Sequence, residues 1–130
     1  MQNEPHAAAV LYAKDLNKVA AFYAALPGFA AVDRDAEHVR LESPAFQLVV
    51  LQIPRHLAST VHVTVPPARR SDLAVKLVFF VPNIAAVRAL APALGGALNG
   101  PDKEWSFNGS KVSDGLDPEG NVIQFRERAI

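Results

Sequence analysis

The sequence predicts an α+β protein made of two tandem βαβββ units, and three observations carry that reading. Residues 10–29, "VLYAKDLNKVAAFYAALPGF", and residues 78–97, "VFFVPNIAAVRALAPALGGA", align at an offset of 68. Each segment orders its residues as a short apolar strand, a polar turn, an amphipathic helix and a glycine stop. Short alternating segments then follow each helix, as strands do. Few of the aligned residues are identical, so the shared order of elements carries the repeat.

In the first copy the helix runs from about Asp15 to Leu26. Val19, Phe22, Tyr23 and Leu26 fall at i, i+3, i+4 and i+7, one face of a helix. Asp15 caps its start, and Pro27-Gly28 ends it. In the second copy Ile84, Val87, Ala91 and Leu94 repeat the stripe behind an Asn83 cap and before Gly95-Gly96. Pro92 lies inside that stretch and is expected to bend it or shorten its last turn. The strands expected next are Ala30–Asp33, His38–Glu42 and Phe46–Ile53 in the first half. In the second they are Ala97–Leu98, Ser110–Leu116 and Asn121–Glu127. We expect one domain over residues 1–130, with halves at about 6–54 and 74–128. The linker at about 55–73 contains Pro66-Pro67 and at most one edge strand.

Composition bounds the function. Thirteen basic residues offset thirteen acidic ones, which suggests neither nucleic acid nor an anionic membrane as partner. The absence of cysteine rules out a disulfide framework, a thiolate metal site and a thiol nucleophile. The opening "MQNEPHAAAVLYAKD" has no cationic region before a long apolar run, so no signal peptide is expected. No apolar segment reaches the roughly 18 residues that span a bilayer, and a cytoplasmic location is the expectation.

The stretch "DGLDPEGNVIQFRER", residues 114–128, holds the most chemistry. Asp117-Pro118-Glu119-Gly120 suits a type I turn, with Pro118 pre-setting φ and Asp117 accepting from the backbone ahead. The strand after it turns Ile123 and Phe125 to one face and Val122, Gln124 and Arg126 to the other. Slipping that register by one would forfeit the burial of two large apolar side chains, at about 1.5–3 kcal/mol each.

Taken together, "LYAKDLNKVAAFYAALPGF", "KLVFFVPNIAAVRALAPALGG" and "DPEGNVIQF", in that order, resemble the vicinal oxygen chelate superfamily of glyoxalases, fosfomycin- and bleomycin-resistance proteins and extradiol dioxygenases. The resemblance implies an eight-stranded, open, cupped barrel with helices outside and a ligand inside. It also implies a homodimer whose cups are completed at the interface, and exposed strand edges in a two-half chain agree with pairing. In metal-dependent members four inward positions carry the ligands. Transferred here, they fall on Ala8, Val50, Lys76 and Gln124, with Gln52 the alternative for Val50. A methyl, an isopropyl and an ammonium group are unsuited to a divalent cation, so no metal and no cofactor are expected. His6, two residues before Ala8, is either a shifted ligand or a terminal residue; His38, His56 and His62 have no partner at metal-motif spacing.

With that register, Val10, Tyr12, Leu48, Val50, Gln52, Lys76, Val78, Phe80, Val122, Gln124 and Arg126 line the cup. Tyr12, Gln52, Lys76, Phe80, Trp105, Gln124 and Arg126 are the candidate ligand-binding residues. An apolar wall with a few convergent polar groups is the usual make-up of a small-molecule site. Lys76 and Arg126 suit an anionic or carbonyl-bearing ligand, or else they reach solvent from the strand ends. Trp105, in the loop "PDKEWSFNGS", either closes the mouth or packs in a core or dimer interface. Two function classes follow: a metal-free protein binding a small organic molecule, or a lyase, isomerase or dioxygenase using a shifted metal site or Lys76. The second class needs an acid partner, for which Glu42 and Asp114 are the candidates by strand order. An interaction module with a filled cup is a third.

Overall fold

A computed structural model describes residues 5–128. The domain expected over 1–130 and the reading of the N-terminal stretch extend over residues 1–4 and 129–130, which lie outside them. The chain divides into two compact units, residues 1–62 and 63–130.

The first unit runs β1 (Ala7–Ala13), α1 (Leu16–Ala25), β2 (Ala30–Arg34), β3 (His38–Glu42), β4 (Phe46–Gln52) and a one-turn helix α2 (Arg55–Ala58). Its sheet has the order β1-β4-β3-β2, with β1 and β4 parallel and the other pairs antiparallel. Asp15 caps α1 by accepting from the Lys18 amide at 3.2 Å. The helix ends where Leu26 donates to the Phe22 carbonyl, ahead of Pro27 and of Gly28 at φ 81°. Leu16, Val19, Ala20, Phe22 and Tyr23 form its buried stripe, and the sheet beneath contributes Ala13, Val39, Leu41, Leu48 and Val50, all fully buried. Burying side chains of this size stabilises the fold by about 1.5–3 kcal/mol each.

The second unit repeats the plan: β5 (Leu77–Phe80), α3 (Ile84–Leu90), β6 (Ala97–Leu98), β7 (Trp105–Phe107), β8 (Ser110–Leu116) and β9 (Val122–Arg128). The main path is β5-β9-β8-β6, with β5 and β9 parallel, and β7 pairs with β8. The first strand of each unit therefore lies parallel beside its last. Asn83 caps α3 by accepting from the Ala86 amide at 2.9 Å, and the Glu127 carboxylate accepts from the Ile84 amide at 2.7 Å. Pro92 acts as expected. The α-helix stops at Leu90, Ala91–Leu94 tighten into a 3₁₀ turn, and Gly95 closes it at φ 88°.

Two expectations are corrected and one is narrowed. The described strands number nine in two open sheets of four and five, not eight, because Trp105–Phe107 is strand rather than loop. Asn108 and Gly109, at φ 48° and 78°, join β7 to β8 as a two-residue hairpin of the Asn-Gly kind. No described residue of the 55–73 linker forms a strand; α2 is its regular element. Last, Leu48, Val50 and Gln52 do not share a face with Val10 and Tyr12. Val10 pairs with Val49 and Tyr12 with Leu51, which turns Leu48 and Val50 under α1.

The turn before β9 is held from both sides. The Gly120 amide donates to the Asp117 carbonyl at 3.0 Å, and Asp117 Oδ1 accepts from the amides of Glu119 and Asn121. The linker packs over it: the Arg70 amide donates to the Gly120 carbonyl at 2.9 Å, and Arg70 Nε to the Glu119 carbonyl at 2.9 Å. Gly120 has φ 85°, and a Cβ there would lie 2.0 Å from the Ala68 carbonyl oxygen.

Gly109 has a similar φ of 78° but open space around it. Gly109→Ala is therefore expected to lower unfolding free energy by about 1 kcal/mol, the cost of left-handed backbone alone. Gly120→Ala should lower it by at least about 2 kcal/mol more, through the clash. Urea denaturation of the two variants checks the difference; equal losses would show that the contact with Ala68 is of no consequence.

Candidate functional site

One face of each sheet is covered by its helix, and the other is open. In the second unit Ile123 and Phe125 are buried with Phe79 and Ile84 on the helix side. The partners of Gln124 are Val78 and Asp114, and those of Arg126 are Phe80 and Val112. Strand partners share a face, so these residues lie together opposite Ile123 and Phe125. Trp105 pairs with Val112 and Phe107 with Ser110, which adds both aromatic rings to the same face.

Four polar side chains link across this face. Lys76 Nζ donates to Asp114 Oδ2 at 2.8 Å, and Gln124 Nε2 donates to Asp114 Oδ1 at 3.0 Å. Arg126 Nε donates to Gln124 Oε1 at 2.8 Å. The amide of Gln124 suits the gap between a carboxylate and a guanidinium, because it donates at one end and accepts at the other. Gln124 is 7% exposed, whereas the Lys76 and Asp114 side chains are 39% and 14% exposed. Arg126 lies over aromatic rings, with its guanidinium carbon 4.8 Å from the centre of Phe107 and 5.9 Å from that of Phe80. No described hydrogen bond uses its terminal nitrogens. The frame is apolar: Val78, Phe80, Trp105 and Phe107 are 37–49% exposed.

Of the seven candidate residues, Lys76, Phe80, Trp105, Gln124 and Arg126 come together here. Tyr12 belongs to the first sheet, on whose open face it is 59% exposed beside Val10. Gln52 pairs with Ala13, and its Nε2 donates to the Lys14 carbonyl at 2.8 Å. Its amide closes off the end of β4 rather than joining Tyr12 on the open face. Asp114 and Phe107 were missed as ligand-binding candidates. Their signals were the register opposite Gln124 and the Asn-Gly hairpin. Glu42, the other candidate acid, is bound by Arg40 and Gln47.

The positions where relatives hold a metal are corrected by this register. Val10 lies 68 residues before Val78; since Val78 pairs with Gln124 and Val10 with Val49, Val49 and not Val50 is the counterpart of Gln124. The four open-face positions are thus Ala8, Val49, Lys76 and Gln124. Two are hydrocarbon, one is a cation bound to Asp114, and one is an amide already engaged at both ends. These residues do not fit a divalent cation. Among the described residues no group of three or more His, Asp or Glu side chains is placed to hold one. His6 is exposed just before β1, and His38 Nδ1 lies 2.9 Å from Asp35 Oδ1.

The geometry defines an α+β protein of two units, βαβββ and βαββββ, with an open, polar-centred sheet face in the second. Residues 8–125 match the model of the glyoxalase-like domain, and the chain belongs to that family. No curated protein matches it significantly. Among solved structures it is similar to a glyoxalase/bleomycin resistance protein/dioxygenase family enzyme from Burkholderia phytofirmans PsJN, at 18% identity and TM-score 0.71, covering 97% of this chain and 100% of that one. A bleomycin-binding protein complexed with bleomycin matches at 18% identity and TM-score 0.60, over 97% and 99%. The bleomycin resistance determinant of transposon Tn5 matches at 17% and 0.57, over 98% and 100%. At these identities the likeness is one of fold. Among the described residues no helix is long and apolar enough to cross a membrane.

The network predicts an order of stability losses. Lys76→Met removes an exposed ion pair and should cost under about 1 kcal/mol. Asp114→Ala strips the buried Gln124 amide of its acceptor and should cost about 1–3 kcal/mol. Chemical denaturation of the two variants checks the order.

Proposed function

We propose that the protein binds a small anionic or carbonyl-bearing organic molecule, in the cytoplasm and without a metal. The site is the open face of the second sheet. The observation that carries this reading is the chain from Lys76 through Asp114 and Gln124 to Arg126 within an exposed apolar frame. A handful of oriented polar groups on an apolar wall is how small-molecule sites combine affinity with orientation. Arg126 presents its terminal N–H groups as a fork suited to a carboxylate or carbonyl, and Gln124 holds it through Nε. Phe80 and Trp105 supply apolar area for the ligand body. Lys76-based enzyme chemistry has less support, since Lys76 Nζ is already engaged with Asp114 Oδ2 at 2.8 Å.

The exposed apolar residues of the two open faces, including Tyr12, Val10, Phe80 and Trp105, also support the homodimer expected from the resemblance. Light scattering should give about twice the 14.0 kDa chain mass at micromolar concentration; a species of the single-chain mass refutes the dimer.

Ligands carried through purification, identified by mass spectrometry, supply the first test molecule. Gln124→Leu removes both bonds of the bridging amide while keeping its volume, and should weaken binding about tenfold or more, equal to about 1.4 kcal/mol. The fold should stay intact, at a stability cost of no more than about 1–3 kcal/mol for the partners left unpaired. Unchanged affinity measured by calorimetry would refute the site. Elemental analysis should find no stoichiometric metal; about one Zn, Ni, Mn or Fe per chain, lost on mutating His6 or Gln124, would refute metal independence.

A further inference from the structure

Beyond Gln124 the open face of the second sheet ends in a pocket of about 490 Å³ lined by Phe80, Phe107, Ser110, Arg126 and Arg128, beside the Asn108-Gly109 turn. That volume falls within the range of small-molecule sites. Arg126 and Arg128 are two residues apart on β9 and so project to the same side. Their guanidinium carbons lie 5.9 and 4.5 Å from the centre of one ring, that of Phe80. The ring faces attract both cations without neutralising either. No acidic residue lines the pocket. Glu127, between the two arginines, faces the other way, where it accepts from the Ile84 amide at 2.7 Å. Two like charges therefore line one pocket with no residue of opposite charge in its lining.

We propose that Arg126 and Arg128 form the head-group site for a dianionic oxyanion carried on an aromatic body, either a phosphate monoester or a pair of adjacent carboxylates. A monoanion satisfies one fork; a dianion bridges both and relieves their mutual repulsion. The Ser110 hydroxyl adds a donor beside them. The aromatic body lies toward Val78 and Trp105, which are 37% and 42% exposed on the same face. Placement of the body rests on the binding function proposed above, whereas the charge preference rests on Arg128, which that reading does not use.

Calorimetric titration with benzoate, phthalate and phenyl phosphate separates the two. The wild-type protein should bind one or both dianions at least about tenfold more tightly than benzoate. Preference for phthalate identifies the paired carboxylate as the head group, and preference for phenyl phosphate identifies the phosphate. Arg128→Gln should abolish the preference while leaving benzoate affinity within about twofold, and Arg128→Lys should restore part of it, as charge without the fork. Gln124→Leu should weaken all three probes alike and leave their ratio intact. If Gln124→Leu changes nothing while Arg128→Gln removes the preference, the head-group site stands and the Gln124 reading falls. Equal affinities for dianion and monoanion in the wild type, a preference surviving Arg128→Gln, or no detectable dianion binding overturns the proposal.

Discussion

The Asp117 carboxylate is the constraint on which the candidate site depends. One oxygen accepts from the amides of Glu119 and Asn121, and the other accepts from the Asn121 side chain at 2.8 Å. Asp117 is fully buried, and a buried carboxyl group is tolerable only with hydrogen-bond partners of this kind. The carboxylate thereby fixes where β9 begins. Because side chains alternate along a strand, that one choice decides the facing of every residue from Val122 to Arg128. Gly120 completes the constraint, for only a residue without Cβ lets the linker carbonyl of Ala68 lie against the turn.

The same hairpin then builds the polar network. Antiparallel pairing sets Asp114 opposite Gln124, and parallel pairing sets Val78 there from the other side, with Lys76 two residues ahead of it. No long-range motif is needed to bring Lys76, Asp114, Gln124 and Arg126 together; three neighbouring strands suffice. The network's members are arranged as cation, anion, amide and cation, which satisfies each contact and still leaves a net positive edge. Arg128 and the rings of Phe80 and Phe107 extend that edge along the strand.

The two units share a topology and differ in what their open faces carry. In the first, the positions matching Lys76 and Gln124 hold Ala8 and Val49. The exposed side chains nearest them, Val10 and Tyr12, are apolar or phenolic. The fold is thus repeated while the chemistry is not, and the linked polar network lies in the second unit.

Local patterns in the chain determined much of this. The caps Asp15 and Asn83, the helix stripes, the break at Pro92 and the turn at Asp117–Gly120 are short-range effects of hydrogen bonding and backbone geometry, legible from a few neighbouring residues. So was the division of β9 into an Ile123/Phe125 face and a Gln124/Arg126 face. The register of β4 was not legible: "FQLVVLQ" is apolar on both faces, so alternation alone leaves Val49 and Val50 interchangeable. Only pairing with β1, and burial of Leu48 and Val50 beneath α1, decided it. Strand β7 is three residues long, and its pairing with β8 settled what "WSF" would be. The partners of Lys76 and Gln124 likewise depend on which strands lie side by side. Asp114 is 38 residues from Lys76 in sequence and 2.8 Å away in space, a contact that tertiary pairing of β5, β9 and β8 alone creates.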